Sequence, residues 1–206
     1  MKNINKHIDL QYFGSIKLFS SLITETNVFF LPDVGYQKSL HLNRTKLIGA
    51  NGPLHLIIPL LGGRDKKQKF KDVQISYSDQ WQKIHWRGIQ SAYRKSPWFD
   101  EYAQDLESLF QIQEKFLLDL NLKTMQWVIK KLKLKVDILA ESKPVLVNHS
   151  DELKINVNEK TDLNFAPYQQ VFSDRYGFIS NLGILDLLFC EGPQAKVYLQ
   201  TINSFK

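Results

Sequence analysis

The sequence predicts an α/β fold, with a mixed sheet from the N-terminal half packed by helices and a C-terminal helical segment. Three observations support this fold. A strand-like, a helical and a second strand-like segment follow one another between residues 7 and 31; an Asn-Gly turn separates two further strand-like segments; and three helical patterns lie between residues 80 and 132. Because connections between parallel strands are right-handed, the strand–helix–strand order predicts a parallel pair with a right-handed crossover.

The N-terminal elements are predicted from apolar spacing. His7–Phe13 has β character, and Val28–Leu31 is a β-rich run that Pro32 ends. Between them, Ser15–Thr24 places four apolar residues on one helical face: Ile16, Phe19, Leu22 and Ile23.

A β-hairpin is predicted next. Arg44–Ile48 and Leu54–Pro59 flank a turn that ends in Asn51-Gly52. Asn-Gly between two strand-like runs is a strong hairpin signal. Val73–Ser76 resembles a further strand.

Three helices are predicted in the middle of the chain. The first runs from Gln80 to Lys95 with Ser78 or Asp79 as its cap, and the others cover Phe99–Phe110 and Glu114–Leu132. A proline follows the first helix closely, and the residue before a proline disfavours helical backbone.

The last third of the chain is more varied. The polar segment 133–163 contains strand-like pieces at Val145–Val147 and Leu153–Val157, and it is predicted as a peripheral hairpin or ordered loop. Helices are predicted at Leu182–Cys190 and Gln194–Ile202. We expect one domain over residues 1–206, with 133–163 as a peripheral insertion.

Composition limits the function classes. The 206 residues suit a globular domain, and the net charge of +6 favours an anionic partner such as a phosphosugar or nucleotide sugar. The single cysteine, Cys190, excludes an intramolecular disulfide and fits a reducing compartment. No apolar run approaches the roughly 20 residues of a membrane-spanning helix. With no signal-peptide pattern either, a cytoplasmic location is predicted.

The segment from Asp33 to Arg44 is the first candidate site. It follows a predicted strand and holds side chains that bind anions and hydroxyls, namely Tyr36, Lys38, His41 and Asn43. In α/β sheets, ligands bind beyond the carboxyl ends of the strands. The segment is therefore expected at a pocket.

The predicted helix over Gln80–Lys95 carries the second candidate. Trp81, His85, Ile89 and Tyr93 are spaced by four and form one stripe, which fits either core packing or a pocket wall. His85 has the chemistry of a general base, although the neighbouring sequence offers no orienting carboxylate. Arg87 lies on another face and could bind an anion.

Several classes of site are excluded or disfavoured. The histidines lack metal-ligand spacing, so no metal site is predicted. The P-loop, the dinucleotide fingerprint and the GxSxG elbow are all missing from the sequence. Basic and aromatic residues interleave between Trp81 and Trp98, but no nucleic-acid-binding signature accompanies them, which disfavours nucleic acid. The cofactor and the oligomeric state stay open.

Several sequence blocks occur in an order that resembles the WbqC-like family, bacterial proteins associated with O-antigen and other surface-polysaccharide loci. The blocks include Tyr36-Gln37-Lys38, Asn43-Arg44, Asn51-Gly52, His85-Trp86-Arg87, Ser96-Pro97-Trp98-Phe99, Tyr168-Gln169-Gln170-Val171-Phe172 and Ile184-Leu185-Asp186-Leu187-Leu188-Phe189. The chain departs from the expected family pattern at four positions: Gly14 replaces a proline, Pro32 an acidic residue, Gly183 a serine and Cys190 an asparagine.

The resemblance implies a role in making a surface glycan. We expect a transferase that modifies a nucleotide- or lipid-linked sugar, with acyl or aminoacyl transfer as the candidate reaction. Arg44 and Lys38 would hold phosphates, Asn43 and Tyr93 would bind hydroxyls, and His85 would accept the proton. Substrate contacts are also expected from Tyr36 and Arg87.

The alternative is a non-catalytic binding or scaffold module of a polysaccharide assembly complex. The enzyme hypothesis predicts a closed pocket that holds His85 and Tyr93 together with Lys38 and Arg44. The module hypothesis predicts an exposed apolar patch and a His85 that is packed in the core.

Overall fold

A computed structural model gives the fold, and it describes residues 6–37, 40, 42–62, 68–141 and 165–203. The predicted α/β class is confirmed. The helices are α1 (Ile16–Leu22), α2 (Trp81–Tyr93), α3 (Phe99–Leu109), α4 (Leu117–Lys131), α5 (Ser173–Tyr176), α6 (Ile184–Glu191) and α7 (Ala195–Asn203). The strands are β1 (Asn27–Phe30), β2 (Arg44–Gly49), β3 (Gly52–Ile57) and β4 (Asp137–Ala140).

The described strands form two pairs, one parallel and one antiparallel. β1 and β4 are parallel, with Asn27 opposite Asp137 and Phe30 opposite Ala140. On the other edge of β1, a parallel bridge joins Phe29 to His7. β1 therefore lies between His7 and β4. The parallel direction agrees with the prediction, but the predicted strand at His7–Phe13 makes a single bridge at His7 instead of a ladder.

α1 connects the two N-terminal parallel segments. Ser15 caps it, because its side-chain oxygen accepts a hydrogen bond from the Leu18 amide. All seven residues of α1 are buried, so its stability comes from packing against the core, because a helix this short is not stable on its own in water.

β4 was not predicted, because it lies inside the segment 133–163 that we interpreted as peripheral. Its four residues are mostly exposed and show no apolar alternation, which removes the usual strand signal. The predicted strand pieces at Val145–Val147 and Leu153–Val157 lie outside the described residues.

The predicted hairpin is confirmed as β2–β3. Gly49 is opposite Gly52, which leaves Ala50 and Asn51 as the two turn residues. Gly52 has a φ of +104°, a conformation that L side chains rarely adopt, and this explains the glycine after Asn51. The predicted strand at Val73–Ser76 makes isolated bridges instead of a ladder.

The middle helices agree with prediction to within a few residues, but the predicted cap of α2 is wrong. Gln80 occupies the cap position without a side-chain hydrogen bond. The Ser78 hydroxyl lies 2.9 Å from that of Ser76 instead. Because no side chain caps α2, burial of Trp81, Ile89 and Tyr93 against the core stabilises this helix instead.

Candidate functional site

A cavity of about 270 Å³ lies at the carboxyl end of β1. Phe30 and Leu31 of the β1 end line it, together with the N-terminal stretch from His7 to Leu10. Its volume is close to the lower end of the range of roughly 300–1,000 Å³ that small-molecule sites usually have. A ligand site in this position follows the general rule for sheets with parallel strands.

The segment from Asp33 to Arg44 forms a second wall of this cavity. Five of its residues line the space: Val34, Gly35, Gln37, Leu40 and Leu42. Of the twelve described residues that line the cavity, eight have apolar side chains, and the polar ones are His7, Asp9 and Gln37. The cavity therefore favours an apolar group with a few polar contacts at its edge.

Backbone pairing holds this wall in place. The Tyr36 amide donates to the Gln68 carbonyl at 2.8 Å, and the Phe70 amide donates to the Val34 carbonyl at 2.8 Å. The Asp33 carboxylate pairs with Lys69 at 2.9 Å and Lys71 at 2.8 Å. Hydrogen bonds from Lys71 and Lys69 lower the pKa of Asp33, so that carboxylate stays charged beside the cavity.

Asn121 of α4 fixes two further parts of the cavity wall. Its side-chain amide donates to the carbonyls of Leu10 and Leu42, both at 2.8 Å. Asn121 is fully buried, and both of its partners line the cavity. Sequence reasoning missed this residue, because a single polar residue in an apolar helix gives no sign of what it contacts.

Three of the predicted substrate-binding residues lie together. The Tyr36 hydroxyl donates to the Asn43 side-chain oxygen at 3.2 Å, and the side-chain amide of Asn43 donates to the Ile58 carbonyl at 2.8 Å. Burial raises the pKa of Tyr36, and the nearby Arg44 charge partly opposes that rise. Asn43 directly follows Leu42 of the cavity wall in the chain. Lys38 and His41 lie outside the described residues.

His85 is packed in the core, with 4% of its surface exposed. Its Nδ1 lies 3.2 Å from the Tyr12 hydroxyl, and its ring centroid is 5.1 Å from that of Trp81. Burial lowers the pKa of His85 to about 4, although a hydrogen bond with the Ile57 backbone acts the other way. His85 is therefore a neutral ring near pH 7.

Tyr93 is fully buried and belongs to a polar network around Asp186. Its hydroxyl donates to Asp186 Oδ1 at 2.7 Å and accepts from the Ile48 amide at 3.2 Å. Tyr168 also donates to Asp186, and Gln170 does so at 3.4 Å. Burial raises the pKa of Asp186, while these hydrogen bonds lower it.

The structure thus separates the predicted residues into two groups. Tyr36, Asn43 and Arg44 form a polar group that neighbours wall residues in the chain, whereas His85 and Tyr93 are core side chains. None of these five is among the described residues that line the cavity. Arg87 is exposed on α2 and does not line it either. The catalytic roles of His85 and Tyr93 stay predictions.

The sequence analysis did not identify a histidine–carboxylate pair, His7 and Glu141, whose histidine lines the cavity. His7 Nε2 is 2.5 Å from Glu141 Oε2, and the two side chains are 10% and 15% exposed. His7 opens the first strand-like segment, but its partner is 134 positions away, directly after β4. Because β4 was not predicted, nothing in the sequence indicated that these two residues are close in space.

A model of the WbqC-like protein family matches residues 11–166, which is more than half of the chain. The chain belongs to the WbqC-like protein family. No curated protein and no solved structure matches the chain.

Two departures from the expected WbqC-like pattern have structural explanations. Gly14 has a φ of +76°, which proline cannot adopt, and a Cβ there would lie 2.7 Å from the Phe19 ring. A Cβ at Gly183 would lie 2.3 Å from the Thr45 hydroxyl oxygen. Both glycines therefore allow close packing around α1 and β2.

The other two departures differ in their relation to the cavity. Pro32 follows Leu31 of the cavity wall, and its carbonyl accepts a hydrogen bond from the Lys71 amide at 3.0 Å. Cys190 of α6 is buried, and burial raises the pKa of its thiol, with Asp186 adding to the rise. Cys190 is not among the described residues that line the cavity.

Among the described residues, no group of three or more His, Cys, Asp and Glu side chains is arranged to hold a metal ion. Within the same part of the chain, every helix is too short or too polar to cross a membrane.

Proposed function

We propose that this WbqC-like protein takes part in making a surface polysaccharide, as a transferase that places an acyl or aminoacyl group on a nucleotide- or lipid-linked sugar. The observation that carries the proposal is the cavity at the carboxyl end of β1, with the segment from Asp33 to Arg44 as one wall. Family membership supports the polysaccharide context. The single cysteine and the nucleotide-linked substrate class are consistent with a cytoplasmic reaction.

The chemistry of the walls supports this class of reaction. Apolar side chains such as Leu10, Phe30 and Phe70 suit the hydrocarbon part of an acyl group. In the chain segment that forms one wall, Arg44 can bind a phosphate through two parallel N–H groups, and Tyr36 and Asn43 can exchange hydrogen bonds with sugar hydroxyls. We assign the anionic end of the substrate to Arg44, with Lys38 as a second phosphate contact.

A thermal-shift screen tests the proposal. The purified protein is heated with nucleotide sugars, free nucleotides, acyl thioesters and amino acids. A ligand at about 100 times its dissociation constant adds roughly 2.7 kcal/mol to the free energy of unfolding. At about 2–4 °C per kcal/mol for a chain of this size, the midpoint rises by about 5–10 °C.

Variants locate the binding site. The shift is expected to disappear in Arg44→Ala and to persist in Arg94→Ala, a matched control that removes an exposed arginine at the end of α2. A shift of equal size in Arg44→Ala would place binding elsewhere. No shift with any compound in the panel would contradict a soluble nucleotide-linked substrate.

A second candidate is a non-catalytic binding module, and one observation favours it. His85, which we predicted as the base, is packed in the core as that hypothesis requires. A module would bind a nucleotide sugar through Arg44 without consuming an acyl thioester. Turnover of thioester and sugar together by the wild-type protein would exclude the module.

A further inference from the structure

The His7–Glu141 pair spans the end of the parallel sheet. The Ile8 amide bonds to the Phe29 carbonyl on one edge of β1, and the Glu141 amide bonds to the Phe30 carbonyl on the other. The two side chains therefore meet across the carboxyl end of β1, where Phe30 and Leu31 enter the cavity wall.

The pair has the arrangement that orients a histidine for proton transfer. Glu141 contacts Nε2 at 2.5 Å, which leaves Nδ1 of the same ring for a second partner. His7 itself lines the cavity, whereas His85 is enclosed in the core. Hydrogen bonding to a carboxylate fixes both the ring orientation and the tautomer of a catalytic histidine.

The surroundings limit what the pair can act on. Asp9 is the other ionisable residue that lines the described cavity, and next to His7 in the chain Lys6 is paired with Glu25 at 2.8 Å. Most of the other lining residues that the structure describes are apolar. A base at the edge of an apolar cavity suits the attack of an acceptor on an acyl group whose hydrocarbon part fills the space.

We propose that His7 is the general base of an acyl-transfer site in this cavity and that Glu141 is its positioning residue. This inference rests on the proposed function for its acceptor, a sugar amine or hydroxyl, and takes an acyl thioester as donor. His7 accepts the acceptor's proton as the new N–C or O–C bond forms to the acyl carbon. The C–S bond then breaks, and the thiolate takes the proton from the imidazolium, so no oxidant or reductant is required.

A chromogenic ester tests the pair without knowledge of the natural substrate. The probe is p-nitrophenyl butyrate, with water as acceptor: water adds to the acyl carbon, the ester C–O bond breaks, and p-nitrophenolate is released. A positioned general base contributes about 100-fold or more, so His7→Ala is expected to lower kcat/KM at least that much. His55→Ala, which removes an exposed histidine on β3, should keep the wild-type rate.

Glu141→Gln separates positioning from folding. It keeps the size of the side chain but removes the charge that orients the ring, so kcat should fall by about tenfold or more with KM unchanged. His7→Gln serves if His7→Ala fails to fold, because the amide can still donate to Glu141. Circular dichroism and the melting midpoint establish that each variant is folded.

The outcomes distinguish this inference from the proposed function. A wild-type rate no higher than that of free imidazole, or a folded His7 variant with full activity, overturns the role of His7. Nucleotide-sugar binding lost in Arg44→Ala would then still support the proposed function. Hydrolysis that depends on His7, without binding of any sugar compound, would support the acyl-transfer site and contradict a sugar as the acceptor.

Discussion

Removing the Tyr93 hydroxyl tests whether this side chain stabilises the core or binds a ligand. Tyr93→Phe keeps the buried ring, which contacts Phe189 with centroids 5.1 Å apart, and deletes one oxygen. That oxygen accepts from the Ile48 amide at 3.2 Å and donates to Asp186 at 2.7 Å. Both partners are buried, so water cannot replace the lost atom without entering the core.

The two lost hydrogen bonds set the magnitude. An unpaired buried amide costs about 1–3 kcal/mol, and a hydrogen bond to an ionisable group contributes about 1–3 kcal/mol. We expect Tyr93→Phe to lower the free energy of unfolding by about 3 kcal/mol. At about 2–4 °C per kcal/mol, this lowers the melting midpoint by about 6–12 °C.

Urea unfolding followed by tryptophan fluorescence and circular dichroism measures the loss. Tyr176→Phe is the matched control, because its exposed hydroxyl donates to the Ala50 carbonyl at 2.8 Å and water can take its place. We expect the control to change stability by less than about 1 kcal/mol. A Tyr93→Phe protein as stable as wild type would refute the structural argument and favour a role for Tyr93 in ligand binding.

Three further predictions concern His85, Gly183 and Asn121. The pKa of His85 is about 4 when folded and about 6.5 when unfolded, so below about pH 6.5 the unfolded chain binds the extra proton. Stability should therefore fall by about 3 kcal/mol as the pH drops from about 6.5 to about 4, and His85→Gln should lack this part of the loss. Equal urea-unfolding profiles against pH for both proteins would contradict the burial argument. Gly183→Ala places a Cβ 2.3 Å from the Thr45 hydroxyl oxygen and should lower the free energy of unfolding by about 1–3 kcal/mol in a urea titration. Adding Thr45→Ala in the same chain should restore part of that stability. An alanine variant as stable as wild type would show that the neighbouring atoms move away without cost. Asn121→Leu removes a hydrogen bond from each of two buried carbonyls, but Leu42 keeps its bond from the Tyr12 amide. The loss at Leu10 should cost about 1–3 kcal/mol by the same titration, and unchanged stability would argue against a structural role for Asn121.

Local patterns were sufficient for the parts of the fold that local interactions specify. The Asn51-Gly52 signal predicted β2–β3, and apolar spacing predicted α2, α3 and α4 to within a few residues. β4 escaped prediction because a short exposed strand acquires its conformation from pairing with β1.

The candidate site divides in the same way. Tyr36, Asn43 and Arg44 are close in sequence, and their grouping followed from the segment that holds them. His7 and Glu141 are 134 positions apart and meet only through the sheet. For His85 and Tyr93, the stripe on α2 was equally compatible with a core and with a pocket, because side-chain spacing does not say what lies opposite.

The pairing of β1 with β4 has a consequence for biosynthesis. Phe29 and Phe30 emerge from the ribosome more than a hundred residues before their partners Leu139 and Ala140. Until then the β4-facing edge of β1 carries unsatisfied backbone groups beside large apolar side chains, a combination that favours association with other chains. A chain that stops before residue 137 lacks the partner of this edge, and we expect such truncated chains to aggregate more readily than the full chain.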